Sequence, residues 1–270
     1  MRIKKFIKIA LLFFLYPLSV VGRLLSVSGR PVVLMYHSIG SSGWEFSVTP
    51  EMFDKQLAYL QKNGFKFLTA EELYELLVNK HPWPQRSVLA TFDDGYRDFM
   101  TEAVPVLNKY KVPAAVFVHT NRSPERLRNN LPLLNWMELK VLAEDFEIGS
   151  HSHSHPDLKT LSPEELDGEL EKTEQVFVQE LGYKPDILSY PGGRFSMNIA
   201  ENLRKREYKL AFTINPGSVR KTSKPLALPR VGLSLDTSFA EFKARVNGAG
   251  DWYEYLADLF RRKNKKKLKI

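Results

Sequence analysis

The stretch Ser87-Val88-Leu89-Ala90-Thr91-Phe92-Asp93-Asp94-Gly95 is a nearly continuous apolar run that stops on two carboxylates and a glycine. Such a run without polar alternation reads as a strand buried on both faces, the kind that parallel sheets use. Asp-Asp-Gly by itself is an ordinary turn signal, because Asp and Gly are the residues that turns select. Its weight comes from a second stretch, His151-Ser152-His153-Ser154-His155-Pro156, in a chain that has only six histidines. Together they supply adjacent carboxylates and a cluster of imidazoles, which a mononuclear site needs to bind an ion and activate water.

Outward from Ser87 the pattern recurs. Pro31 to Tyr36 is an apolar run ending at His37, and residues 114–118, 147–149, 187–190, 210–213 and 228–231 are shorter strand candidates. Helix starts lie between them. Thr69 with Glu72 and Asn135 with Glu138 have capping-box spacing, and Ser162-Pro163-Glu164-Glu165 adds a proline in the first turn. Pro50 to Asn63 carries Phe53, Leu57 and Leu60 at helical spacing and stops at Gly64. Alternating strands and helices predict a parallel α/β architecture. No linker rich in Gly, Ser or Pro divides the body. In a parallel barrel the C-terminal strand ends open on one face, where His37, Asp93, Asp94, the histidine cluster and Tyr190-Pro191-Gly192-Gly193 are all expected.

With 270 residues, 43% of them hydrophobic, the chain can bury one large core. It has no cysteine, which excludes disulfides, thiolate nucleophiles and Cys-type zinc, so a metal must be held by His and carboxylates. Met1 to Lys8 is basic and Ile9 to Val21 apolar, the pattern of a secretory leader. Pro17 interrupts that run, Leu24 and Leu25 extend it, and no clean A-x-A site follows, so a cleaved signal and an uncleaved anchor both stay open. Residues 1–28 are thus expected to be a signal peptide or membrane anchor, 31–247 the catalytic body and 248–270 a basic tail, with the body exported. The net charge of +8 gathers at the ends, and Arg261 to Lys269 suits an anionic membrane surface, an acidic glycan or plain solvation. Nucleic acid is not expected, because no aromatics interleave the tail's basic residues.

Adjacent aspartates send their side chains in different directions, so one can ligate an ion while the other addresses its water. His151 and His155 are spaced to converge on one cation in a tight turn or a single helical turn. With one Asp they make a two-His, one-carboxylate set that suits zinc hydrolases and non-haem iron oxygenases alike, and the second Asp favours hydrolysis. Zinc is the first choice, and cobalt, nickel or iron suit the same donors.

These motifs resemble the polysaccharide deacetylases of carbohydrate esterase family 4. Thr91-Phe92-Asp93-Asp94-Gly95 matches the family's T-F-D-D-G motif, and His151-Ser152-x-x-His155-Pro156 its H-[ST]-x-x-H-P motif. The resemblance spans about Pro31 to Asn247. It implies a distorted (β/α) barrel, Asp93 as general base, Asp94, His151 and His155 as metal ligands, and removal of acetyl groups from an N-acetylated glycan. The family's R-P-P-Y-G motif reads Ser189-Tyr190-Pro191-Gly192-Gly193 here, without its arginine. Gly192, with Tyr190 beside it, then stands at the oxyanion and substrate segment. No histidine follows His155, so the usual C-terminal acid is missing as well. Val33 to Ile39 instead resembles the N-terminal histidine motif of the biofilm poly-N-acetylglucosamine deacetylases, which makes His37 the expected general acid. Leu228-Pro229-Arg230 brings in a candidate for the missing arginine, with Arg230 orienting Asp93. His153 occupies a variable position between the ligands, with packing or substrate contact as its expected role. Trp44, Trp83, Trp136 and Phe195 are candidate sugar platforms, with core packing the simpler reading of each. The same constellation would serve cleavage of another amide, such as a formamido sugar on a lipid carrier, or persist in a glycan-binding pseudoenzyme.

Overall fold

The computed structural model describes residues 29–79, 82–121 and 131–248. The expected leader, nearly all of the basic tail and His81 lie outside them. In chain order the elements are β1 Val32–Tyr36, β2 Ser38–Ile39, β3 Ser47–Val48, α1 Pro50–Lys62, β4 Lys66–Phe67, α2 Ala70–Val78, β5 Ser87–Phe92, a π-helical turn Phe99–Ala103, α3 Val104–Tyr110, β6 Ala114–Val118, α4 Trp136–Leu142, β7 Glu147–Ser150, α5 Pro163–Leu181, β8 Ile187–Ser189, α6 Met197–Lys205, β9 Leu210–Phe212, β10 Val231–Gly232 and α7 Phe239–Val246.

β5 is buried at all six residues and lies inside the sheet, between β1 and β6. Every pairing is parallel, in the order β10-β1-β5-β6-β7-β8-β9, with β4 and β6 following one another along the same edge of β5. Beyond β9, Leu228 bridges to Phe212, while Val231 pairs with Leu34 of β1, so the sheet curls round into a barrel. This is the expected distorted (β/α) barrel.

Strand periodicity then sorts the side chains. Val32, Leu34 and Tyr36 of β1 and Val88, Ala90 and Phe92 of β5 pack outward with Phe53, Leu57 and Leu60 of α1. Val33, Leu89, Phe117 and Phe212 form an interior cluster. Thr91 and Asp93 continue the Leu89 series, so the alternation that fills the barrel also delivers Asp93 to its interior end.

The capping boxes at Thr69, Asn135 and Ser162 are all present and start α2, α4 and α5. Two expectations differ. The last strand, read as residues 228–231, is confined to Val231–Gly232, because Pro229 has no N–H to offer a ladder. α3, α6 and α7 escape notice in the sequence, although Ser238-x-x-Glu241 carries an N-cap signal and Ser238 does accept from the Glu241 N–H. Among the described residues, no helix is long and apolar enough to cross a membrane.

Candidate active site

Asp93 and Asp94 separate at the end of β5 because the backbone turns between them. Asp94 has φ 71° and Gly95 φ 68°, and Asp is among the few side chains that accept this left-handed region. Only five non-glycine residues in the described chain have positive φ, and Asp94, Ser152 and His155 are three of them. Backbone strain is therefore concentrated at this end of the barrel, as it is in functional loops.

The left-handed residues Ser152 and His155 fold the histidine stretch into a non-helical turn, held by the His155 N–H donating to Ser152 Oγ at 3.0 Å. The turn brings His155 Nε2 to 3.2 Å from His151 Nε2, while Asp94 Oδ1 lies 3.4 Å and 3.6 Å from the two imidazoles. These three donors all fall within 4.8 Å of one another. His151 Nδ1 is 2.7 Å from the Ser189 carbonyl, an acceptor only, so Nδ1 carries a proton and donates it there. Nε2 is the atom that faces the cluster. Burial, followed by the charge of His151, pushes His155 down to about 4, so its imidazole is neutral at pH 7 and has a lone pair for an ion. Two imidazoles and a carboxylate sharing one point fit a divalent cation.

Asp93 is not part of that set. It is 3% exposed and faces Arg230, which is 1% exposed. Arg230 Nη1 and Nη2 donate to Asp93 Oδ1 and Oδ2 at 2.8 Å and 2.6 Å. The remaining donors reach Thr91 Oγ1 at 3.1 Å, Ser189 Oγ at 2.8 Å and the Thr213 carbonyl at 3.0 Å. All five guanidinium N–H groups are thus satisfied, which is the condition for burying such a charge. Burial alone would raise the Asp93 carboxyl, but Arg230 and then His151 outweigh it and hold it below the ordinary range. Ser189, which stands where the family motif has arginine, also donates to Asp93 Oδ2 at 3.0 Å. A small residue there leaves room for the guanidinium of Arg230, the candidate that the sequence offered at Leu228-Pro229-Arg230.

His37 follows β1 into the same space, half-buried, with its Nδ1 buried and without a hydrogen-bond partner among the described residues. An orphaned polar atom in a packed ring is uncommon and points to use. Burial lowers the His37 pKa; Asp94 and Asp93 draw it back up, and Arg230 and His151 lower it further. The net direction is down. Gly192 is exposed with φ 59°, and a Cβ there would meet nothing within 4 Å.

The structure does not bring the Tyr190 side chain to this group, which corrects its expected substrate contact. Tyr190 is fully buried, its ring stacks on Phe195 at 5.6 Å, and its hydroxyl donates to the Leu226 carbonyl at 2.8 Å. His153 Nδ1 is paired with Thr120 Oγ1 at 2.7 Å, and His119 Nδ1 with the Asn121 carbonyl at 2.8 Å. Of the four aromatic candidates, Trp83 lies in the interior cluster, Trp136 packs on Phe177 and Phe195 on Tyr190. Trp44 alone of the four packs on His37.

Asp98 supports this region from below. Its Oδ2 accepts from the Ser38 hydroxyl, its Oδ1 is buried without a partner among the described residues, and burial pushes it up to about 6. A raised carboxyl contributes its stability in full below the unfolded value of 3.8 and loses it as pH rises through the folded value. Asp98→Asn is therefore expected to flatten the unfolding free energy between about pH 4 and 7. Denaturant titrations of both proteins across that range check this, and identical pH slopes would refute it.

The family model for polysaccharide deacetylase matches residues 80–211. The Bacillus subtilis protein YxkH is 31% identical over 79% of this chain and 75% of its own length. The chain belongs to the polysaccharide deacetylase family. A poly-β-1,6-N-acetyl-D-glucosamine N-deacetylase of Staphylococcus aureus is 27% identical over 75% of this chain and 73% of its own. Two solved deacetylase-family structures overlay with TM-scores of 0.72 at 26% identity. Streptococcus pyogenes deacetylase PplD in complex with acetate covers 81% of this chain and 99% of its own, and IcaB from Ammonifex degensii 82% and 97%. Family membership makes the chain a hydrolase and gives the convergence of Asp94, His151 and His155 its chemical context.

Proposed function

We propose that this deacetylase removes N-acetyl groups from a polysaccharide containing N-acetylhexosamine, with the aid of a divalent metal. The observation that carries the reading is a three-donor metal set beside a second carboxylate, Asp93, that is held by an arginine instead of joining the set. The name of the Staphylococcus aureus relative supports the substrate class. The leader read in the sequence supports export.

Asp94, His151 and His155 would hold the ion, zinc first, with cobalt, nickel or iron suited to the same donors. Zinc bound in such a set polarises a carbonyl and lowers the pKa of water to about 7. Asp93 is the base. Its Oδ2 accepts from both Arg230 and Ser189 while Oδ1 accepts from Arg230, so Oδ1 has capacity left for a water proton. Arg230 positions Asp93 and keeps it ionised. The Gly192 N–H donates to the oxygen that becomes negative as the amide is attacked. His37 is the acid that protonates the departing amine; since burial lowers its pKa, it rests neutral at pH 7 and passes to the nitrogen the proton that Asp93 takes from water.

Acetate release from N-acetylglucosamine oligomers by the metal-stripped chain, with and without zinc, tests this directly. Formate release from a formylated amino sugar in place of acetate would move the activity to another amide, and glycan binding without either product would mark a pseudoenzyme. Zinc at about a hundred times its Kd is expected to stabilise the protein by about 2.7 kcal/mol. His151→Ala should abolish that gain in a thermal melt; a gain of the same size in the variant would rule out this donor set.

A further inference from the structure

The loop joining β2 to β3, Gly40-Ser41-Ser42-Gly43-Trp44-Glu45-Phe46, has no part in the chemistry above. It is firmly built. The Gly40 N–H donates to the Val48 carbonyl at 3.0 Å, Ser47 to Trp44 at 2.9 Å, and Leu235, from the segment after β10, to Glu45 at 3.1 Å. Beneath it, hydroxyls connect Ser42 through Ser47 and Ser38 to the Asp98 carboxylate. Trp44 packs against Tyr96 at 5.2 Å and Phe46 at 5.3 Å, and both Trp44 and Phe46 meet the His37 imidazole, at 6.0 Å and 5.4 Å. Phe46 is nonetheless 42% exposed, and Leu235 is 46% exposed. Large apolar side chains held in place and left open beside a reactive group form a binding surface.

We infer that Trp44 and Phe46 form a stacking platform for a sugar ring adjacent to the one being deacetylated, an inference that rests on the deacetylase reading above. A pyranose offers an apolar C–H face bounded by hydroxyls. The loop offers the complement: aromatic rings bordered by the exposed side chains of Ser41, Ser42 and Glu45. Continuity with the cleft identifies the occupant, because both rings contact His37 and a glycan chain whose amide reaches His37 passes over them. The loop's charge argues against a lipid surface. It contains no lysine or arginine and presents Glu45, whereas anionic headgroups select basic segments.

The test compares kcat and KM for an N-acetylglucosamine hexamer with kcat/KM for 4-nitrophenyl acetate, a small ester that does not extend to the loop. Phe46→Ala is expected to raise the hexamer KM about tenfold with kcat within about twofold, the loss of one aromatic anchor, and Phe46→Tyr to restore it. An equal fall for hexamer and ester, or a fall in kcat at constant KM, would overturn the platform and leave the loop as a support for His37. Unaltered hexamer kinetics would overturn it too, including when Phe46→Ala loses binding to anionic vesicles. Trp44 emission provides a readout without turnover. If no glycan releases acetate but the hexamer quenches emission in the parent, more weakly in Phe46→Ala and not in Trp44→Phe, the platform stands while the deacetylase reading fails. Acetate release without any such quenching overturns the platform alone.

Discussion

Arg230→Met is expected to lower the unfolding free energy by about 3–5 kcal/mol, the cost of leaving a buried charge without its partner. Asp93 is 3% exposed and takes two of the five Arg230 donors. Burial is already the largest influence on this carboxyl, and without the guanidinium only the imidazoles of His151 and His37 oppose it, so the carboxyl is expected to rise. The pH dependence therefore changes sign. In the parent, Asp93 is held below 3.8, so its stabilisation is present above that value and is lost as pH falls through the lower folded value. In Arg230→Met the raised carboxyl is relieved by protonation, so stability grows as pH falls toward 4. Replacing both partners, as in Asp93→Leu with Arg230→Met, should recover much of the loss, because apolar groups of similar volume often substitute for a buried ion pair at little cost. Urea unfolding at several pH values reads all of this. A loss under about 1 kcal/mol in the single variant would mean that water reaches Asp93 and the pair counts for no more than a surface bridge.

Turnover should fall by about 10²- to 10⁴-fold in both Asp93→Asn and His37→Ala, the usual contribution of a positioned base or acid. Zinc binding is expected to survive in each, since neither residue belongs to the Asp94, His151 and His155 cluster. His151→Ala should lose both properties. Acetate release and zinc titration on the same preparations distinguish the cases. Asn at position 93 also leaves Arg230 short of a negative partner, so the assay belongs well below that variant's own melting temperature. Full turnover in His37→Ala would remove His37 as the acid and make its unpartnered Nδ1 a packing feature.

Much of the frame was legible because it is written locally. Ser87 to Phe92 is apolar at nearly every position because both faces of β5 are covered, and Thr69, Asn135 and Ser162 announce their helices through bonds that close within three residues. α3, α6 and α7 were missed because none of them starts with a complete capping box: α3 has no side-chain cap, and Ser196 and Ser238 cap α6 and α7 without a reciprocal bond. The aspartates and histidines were legible as chemistry because chain order and spacing place them at strand ends.

By itself, the sequence determined a parallel α/β architecture with its reactive residues at strand ends, since a buried strand fixes its own periodicity and its own end, and the barrel followed from the family resemblance of its motifs. The sequence offered Arg230 as a candidate partner for Asp93, and only the tertiary structure decided how the two meet. Arg230 reaches Asp93 across 137 residues of chain, in space that Ser189 leaves open. Tyr190 turns into the core, while Trp44 stays beside His37. Each of these depends on volume and charge contributed from several parts of the fold, and a local pattern does not fix which side chains share the barrel's interior.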